Sequence, residues 1–142
     1  KDGYSIVPNS QGTWPNGIDM IGNDLYVNYR GNGKITKFSS NMRKDLILRT
    51  YLSGGPDNVT AVGDELWIGG QNTDLGGLNC IPEDVIQCSM PFFIIRADRD
   101  LNILEEYNFK DVAYGGASVA YPFEDKIFIG AYKSDRIAIF KR

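Results

Sequence analysis

The stretch Gly54-Gly55-Pro56-Asp57-Asn58-Val59-Thr60-Ala61-Val62-Gly63-Asp64-Glu65-Leu66-Trp67-Ile68-Gly69-Gly70 decides how this chain reads. It passes from a polar corner into a short apolar strand, crosses a tight Gly-Asp turn, and returns as a second apolar strand ending in glycines. The same pattern stands 41 positions earlier, as Pro15-Asn16-Gly17-Ile18-Asp19-Met20-Ile21-Gly22-Asn23-Asp24-Leu25-Tyr26-Val27. Pro15 maps onto Pro56, Asn16 onto Asp57, Gly22 onto Gly63, Tyr26 onto Trp67 and Val27 onto Ile68. A weaker third copy reads Gly116-Ala117-Ser118-Val119-Ala120-Tyr121, a turn, then Lys126-Ile127-Phe128-Ile129-Gly130. Short strands recurring about every 40 residues are the mark of propeller blades. The expected fold is all-β, a β-propeller of about three four-stranded blades.

Working outward, the blades fall at about 14–52, 56–109 and 116–142. Their strands are expected at 18–21, 25–29, 34–38 and 46–52, then 58–62, 66–69, 92–97 and 103–109, then 118–121, 126–131 and 136–140. Turn chemistry separates them: Gly22-Asn23-Asp24, Gly31-Asn32-Gly33 and Ser39-Ser40-Asn41 in the first blade. The third blade lacks a fourth strand, and Tyr4-Ser5-Ile6-Val7 reads as a spare one that completes a neighbouring blade. Nothing reads as helix; 41–51 keeps a 3.6 period poorly and fits an outer strand.

The second blade carries an extra segment, Gly70 to Pro91, containing Cys80 and Cys88. Loops this long in a compact repeat are usually functional or pinned. Two cysteines eight positions apart suit a small disulfide, or stand as two reduced thiols in a cytosolic protein. Two cysteines without histidine cannot supply the four soft ligands of a zinc site.

Composition narrows the function. The 142 residues suit one domain with a real core. A net charge of −3 without a basic cluster speaks against nucleic acid. No apolar run approaches the roughly 20 residues that span a bilayer. The sequence contains no histidine, which excludes His-dependent catalysis by this chain. It begins at Lys1 with no visible signal peptide, as expected of a mature product, a trimmed chain or a fragment.

The innermost strand of each blade starts near the propeller axis, so equivalent residues converge there. Asn16, Asp57 and Ser118 are equivalent, and Asn58 adjoins Asp57. Together they offer a carboxylate, two amide carbonyls and a hydroxyl, an all-oxygen set suited to a hard cation such as Ca²⁺. Pro-Asn-Gly and Pro-Asp-Asn are also ordinary turn sequences. Asn58-Val59-Thr60 matches the N-glycosylation pattern, which a central site would preclude.

Trp-Pro-Asn-Gly-Ile at 14–18, Pro-Asp-Asn-Val at 56–59 with Leu-Trp-Ile-Gly at 66–69, and Gly-Ala-Ser-Val-Ala at 116–120 with Lys-Ile-Phe-Ile-Gly at 126–130 resemble the paraoxonase/arylesterase family. The wider superfamily holds the gluconolactonase-like and strictosidine synthase-like six-bladed propellers. The resemblance covers nearly the whole chain and corresponds to the C-terminal half of such a protein. It implies a calcium held by Asn16, Asp57 and Asn58, with the family's remaining glutamate and asparagine, and its histidine dyad, in a half not present here. It also implies metal-assisted hydrolysis of a lactone or aryl ester, or of a phosphotriester, with Asp57 assisting the attacking water. Trp14, Phe92, Phe93 and Ser118 are candidates for the substrate mouth, the aromatics alternatively being core.

Two readings stand at this stage. One is a calcium-dependent lactonase or esterase whose site is completed by a second copy or by a missing N-terminal half. The other is a non-catalytic propeller piece used for binding or structure. A Cys80–Cys88 bridge implies a secreted or extracytoplasmic setting.

Overall fold

Eleven β-strands and one short 3₁₀ turn make up the computed structural model, which describes residues 3–41, 44–49, 54–72, 88–110 and 112–142. The strands are β1 (Pro15–Ile21), β2 (Asp24–Tyr29), β3 (Lys34–Phe38), β4 (Lys44–Arg49), β5 (Gly55–Val62), β6 (Glu65–Gln71), β7 (Phe92–Asp98), β8 (Ile103–Phe109), β9 (Ala117–Phe123), β10 (Lys126–Ala131) and β11 (Ala138–Lys141). The 3₁₀ turn, Arg30–Asn32, stands where the Gly31-Asn32-Gly33 turn was expected. There is no α-helix among the described residues, and none of their helices is long and apolar enough to cross a membrane.

Each sheet is an antiparallel meander of sequence neighbours. The first holds β1-β2-β3-β4, the second β5-β6-β7-β8 and the third β9-β10-β11, and no sheet closes on itself. Tight loops make this possible. Gly22 and Gly63 open equivalent two-residue loops at φ 59° and 63°, with Ile21 facing Asp24 and Val62 facing Glu65. A positive φ at the first loop residue alone is what a II′ hairpin turn requires and what glycine adopts freely. The third sheet makes the same loop with Glu124, at φ 54°.

The first strands lie side by side, β1 against β5 and β5 against β9. A Cβ on Gly17 would come within 2.6 Å of the Val59 nitrogen, and one on Gly69 within 3.1 Å of the Ser118 carbonyl carbon. Between the first and second sheets, Ile21, Tyr26 and Ile35 pack with Val59, Leu66, Ile68 and Phe93. Between the second and third, Trp67, Phe92 and Ile94 pack with Ala120, Ile127 and Ile129. Leu66-Trp67-Ile68 is continuously apolar because β6 is buried on both faces, whereas outermost β8 alternates.

Among the described residues Tyr4–Val7 pairs with no strand, Tyr4 being 96% and Ile6 78% exposed; the neighbouring blade it is expected to complete belongs to another chain. One expectation changes. Strands β1 and β5 start three residues earlier than the apolar runs suggested, at Pro15 and Gly55, because their polar corners already pair with β2 and β6. Cys80, residues 50–52 of the expected outer strand, and 73–87 of the extra segment lie outside the described residues.

Candidate functional site

Each sheet carries a β-bulge at the same place in its first strand. In β1 the pairing shifts between Pro15 and Ile18, in β5 between Pro56 and Val59, and in β9 between Ala117 and Val119. The displaced residues are Asn16-Gly17, Asp57-Asn58 and Ser118. A bulge frees residues from the ladder and re-aims their side chains. The repeat thus delivers the sequence-predicted Asn16, Asp57, Asn58 and Ser118 at three equivalent bulges on adjacent strands. Asn16 is exposed, Asp57, Asn58 and Ser118 are half-buried, and the Ser118 hydroxyl lies 3.4 Å from the Gly130 carbonyl.

Asp57 is held from three directions. Gln71 Nε2 donates to its Oδ2 at 2.8 Å, and Arg30 Nη1 approaches the same oxygen at 3.3 Å. Asn28 Nδ2 donates to its backbone carbonyl at 2.9 Å. Gln71 ties all three sheets together: its Nε2 also donates to the Ala117 carbonyl at 2.7 Å, and its Oε1 accepts from Arg30. Tyr132 joins the cluster; burial pushes its phenol up, with Asp57 adding to the shift and Arg30 opposing it.

Arg30, Gln71 and Tyr132 are themselves equivalent, each one residue beyond or at the end of its sheet's second strand, at spacings of 41 and 61. Asn28 corresponds to Gly69 and Gly130. Sequence reasoning missed all four, because the repeat was followed to the first strands and not to the ends of the second. The same spacings would have found them.

The donor chemistry fits a hard cation. Asn28 is fully buried, and its Oδ1 has no hydrogen-bond partner. A buried amide oxygen left unpaired is costly and calls for an explanation; here it belongs to the residue that also grips Asp57. Among the described residues no three His, Cys, Asp or Glu side chains lie close enough to hold a metal. A cation here would therefore rest on one carboxylate and on amide oxygens.

The other candidates sit elsewhere. Phe92 and Phe93 are buried on opposite faces of β7, with Phe92 stacked on Phe109 at 4.5 Å, so both are core and neither lines an open mouth. Trp14 is exposed, at φ 53°, and its carbonyl accepts from the Arg30 amide. Cys88 is buried in a small cluster with Met90. Compared with known proteins, the chain matches no family model and no curated protein.

Proposed function

We propose that the three sheets are consecutive blades of a β-propeller, and that their aligned bulges form part of a calcium-dependent hydrolase site acting on a lactone, an aryl ester or a phosphotriester. The observation that carries this reading is the threefold bulge, with Asn16, Asp57-Asn58 and Ser118 in one register beside the unpartnered Asn28 Oδ1. Asn16, Asp57, Asn58 and Asn28 would hold the ion. Bound there, Ca²⁺ supplies polarisation of the substrate carbonyl and stabilisation of the developing oxyanion. Both partners of the Asp57 carboxylate converge on Oδ2, which leaves Oδ1 to assist an attacking water.

The packing supports the propeller reading and bears on what would complete it. Tyr26 clusters with Leu66 of the next sheet, and Trp67 with Ile127 of the one after. Phe128 is the next member of that series and faces outward from the third sheet beside exposed Tyr121 and Ile139. The outer face of the first sheet, around Leu25, Val27, Tyr29 and Phe38, is already covered: these side chains are buried within the chain, with Val7 and Ser10 of the N-terminal segment beside them. A second copy of this chain, or an N-terminal half built on the same repeat, would continue the ring by covering the exposed face of the third sheet around Tyr121 and Ile139. A Cys80–Cys88 bridge would place the protein in a secreted or extracytoplasmic setting.

A second reading keeps one specific observation in its favour: Arg30 already neutralises Asp57, as a purely structural junction requires. The test separates the two. A ligand bound only by the folded state at a hundredfold excess over Kd adds about 2.7 kcal/mol, so melts in calcium and in chelator should differ by several degrees. Phenyl acetate or a γ-lactone should be hydrolysed in calcium and not in chelator. Identical melts and no hydrolysis would leave the structural junction.

A further inference from the structure

We propose that Arg30 is a built-in competitor for the cation site: its guanidinium neutralises the Asp57 carboxylate in the absence of a metal, and a divalent cation binds against that competing charge. This rests on the calcium reading above and assigns a residue outside the expected ligand set. The contact is a charged one, Arg30 Nη1 to Asp57 Oδ2 at 3.3 Å, with the two side chains 24% and 13% exposed. A guanidinium and a dication drawn to one carboxylate repel each other across it, so each weakens the other's hold.

The fold makes room for this cation. A Cβ on Gly55 would lie 2.6 Å from Arg30 Cγ and 2.8 Å from the Arg30 carbonyl oxygen, so the bare backbone at Gly55 is the bed on which the arginine stem lies. Gln71 fixes the guanidinium from the other side, accepting from it through Oε1 while donating to the same Asp57 oxygen. The repeat does not demand a charge here. The equivalent positions, at or just past the ends of the other second strands, hold neutral Gln71 and Tyr132. The exposed quarter of the arginine side chain gives it a path to solvent without unfolding its neighbours.

The unpartnered Asn28 Oδ1 supplies the other half of the exchange. A guanidinium satisfies carboxylate charge and leaves that oxygen orphaned. A calcium ion, which gathers six to eight oxygens, takes both. The site is therefore half-satisfied by Arg30 and more fully satisfied by the metal.

Calorimetric titration of chelator-treated protein with calcium chloride tests this in the wild type, Arg30→Gln, Arg30→Lys and Asp57→Asn. Arg30→Gln should tighten binding at least tenfold, Arg30→Lys should stay within about threefold of wild type because the competing charge remains, and Asp57→Asn should abolish binding. Unfolding curves for each variant establish that it is folded. Equal affinity in Arg30→Gln and wild type, or equal tightening by Gln and Lys, would overturn the competitor while leaving the cation site standing. No calcium binding by any folded variant would overturn both.

Discussion

Replacing Gln71 with leucine isolates the residue that joins the three sheets. Gln71 is fully buried, and leucine nearly matches its volume, so the change removes polar bonds and little packing. Three interactions go: Nε2 to Asp57 Oδ2 at 2.8 Å, Nε2 to the Ala117 carbonyl at 2.7 Å, and Oε1 from Arg30. A neutral hydrogen bond contributes about 1 kcal/mol net and one to a charged group about 1.5–3 kcal/mol, which sums to roughly 4–7 kcal/mol. Two effects reduce this. Arg30 and Asp57 keep their own contact and reach some water, and the leucine side chain buries more apolar surface. The expected loss is about 3 kcal/mol, a large share of the 5–15 kcal/mol typical of a domain. Urea unfolding followed by Trp67 fluorescence should show the midpoint falling by about 1–2 M with the slope unchanged. Gln71→Glu should fall as far at neutral pH, since it sets a second carboxylate against Asp57 and presents an anion to the Ala117 carbonyl. A loss below about 1 kcal/mol for Gln71→Leu would refute the view that this side chain couples the sheets.

Other outcomes follow from single features. Glu124→Gly should stabilise the protein by about 1 kcal/mol, a rise of roughly 3–5 °C in Tm, because Glu124 takes the positive φ that Gly22 and Gly63 adopt freely; an unchanged or lower Tm would contradict this. Stability should hold above about pH 4.5 and fall as the pH drops toward 2, because Glu65, held down by Arg96, and Asp98, held down by Asn102, have depressed folded-state pKa values. Their stabilisation is present above the unfolded values and lost on protonation in the folded state, so Arg96→Met should flatten the acid limb in a pH series of unfolding curves. Non-reducing peptide mapping should recover Cys80 and Cys88 in one linked species; two alkylatable thiols in protein purified without reductant would remove the case for an oxidising compartment.

The element plan was legible because the fold repeats and the repeat is punctuated by glycine. Gly22 and Gly63 mark their hairpins by the backbone they allow, and Leu66-Trp67-Ile68 marks an inner strand by being apolar on both faces. Tyr4-Ser5-Ile6-Val7 reads as a strand for a neighbouring blade, and alternation becomes a strand only where an edge is there to pair with it; among the described residues it pairs with none. Phe92-Phe93 left two readings open, mouth or core, and their burial favours core. Adjacent aromatics in a central strand face opposite sides, one toward Trp67 and Ile94 and the other toward Ile68 and Ile95. The bulged residues were found because they share the register of the turns, but the partners of Asp57 were not. Those partners come from the ends of neighbouring second strands, and nothing local in Asn28-Tyr29-Arg30 announces a contact with residue 57.

The three copies also separate structure from chemistry within one chain. Positions that face the same backbone constraint in every sheet should converge on the same residue, and where they diverge the fold has not chosen for them. The turn position holds Gly22, Gly63 and Glu124, and the odd member sits in a conformation that suits glycine, so its divergence is strain. A second equivalent position holds Asn28, Gly69 and Gly130, and the first two of these face the next sheet's bulge. Gly69 leaves the Ser118 backbone only 3.1 Å from where a Cβ would be, while Asn28 instead sends an amide across to the Asp57 carbonyl. The position ending the second strand holds Arg30, Gln71 and Tyr132, three chemistries in one architectural slot. Repetition explains none of these last choices. Two of them, Arg30 and Gln71, meet on one carboxylate, Asp57, which is where the proposed site would make its demand on a repeated frame.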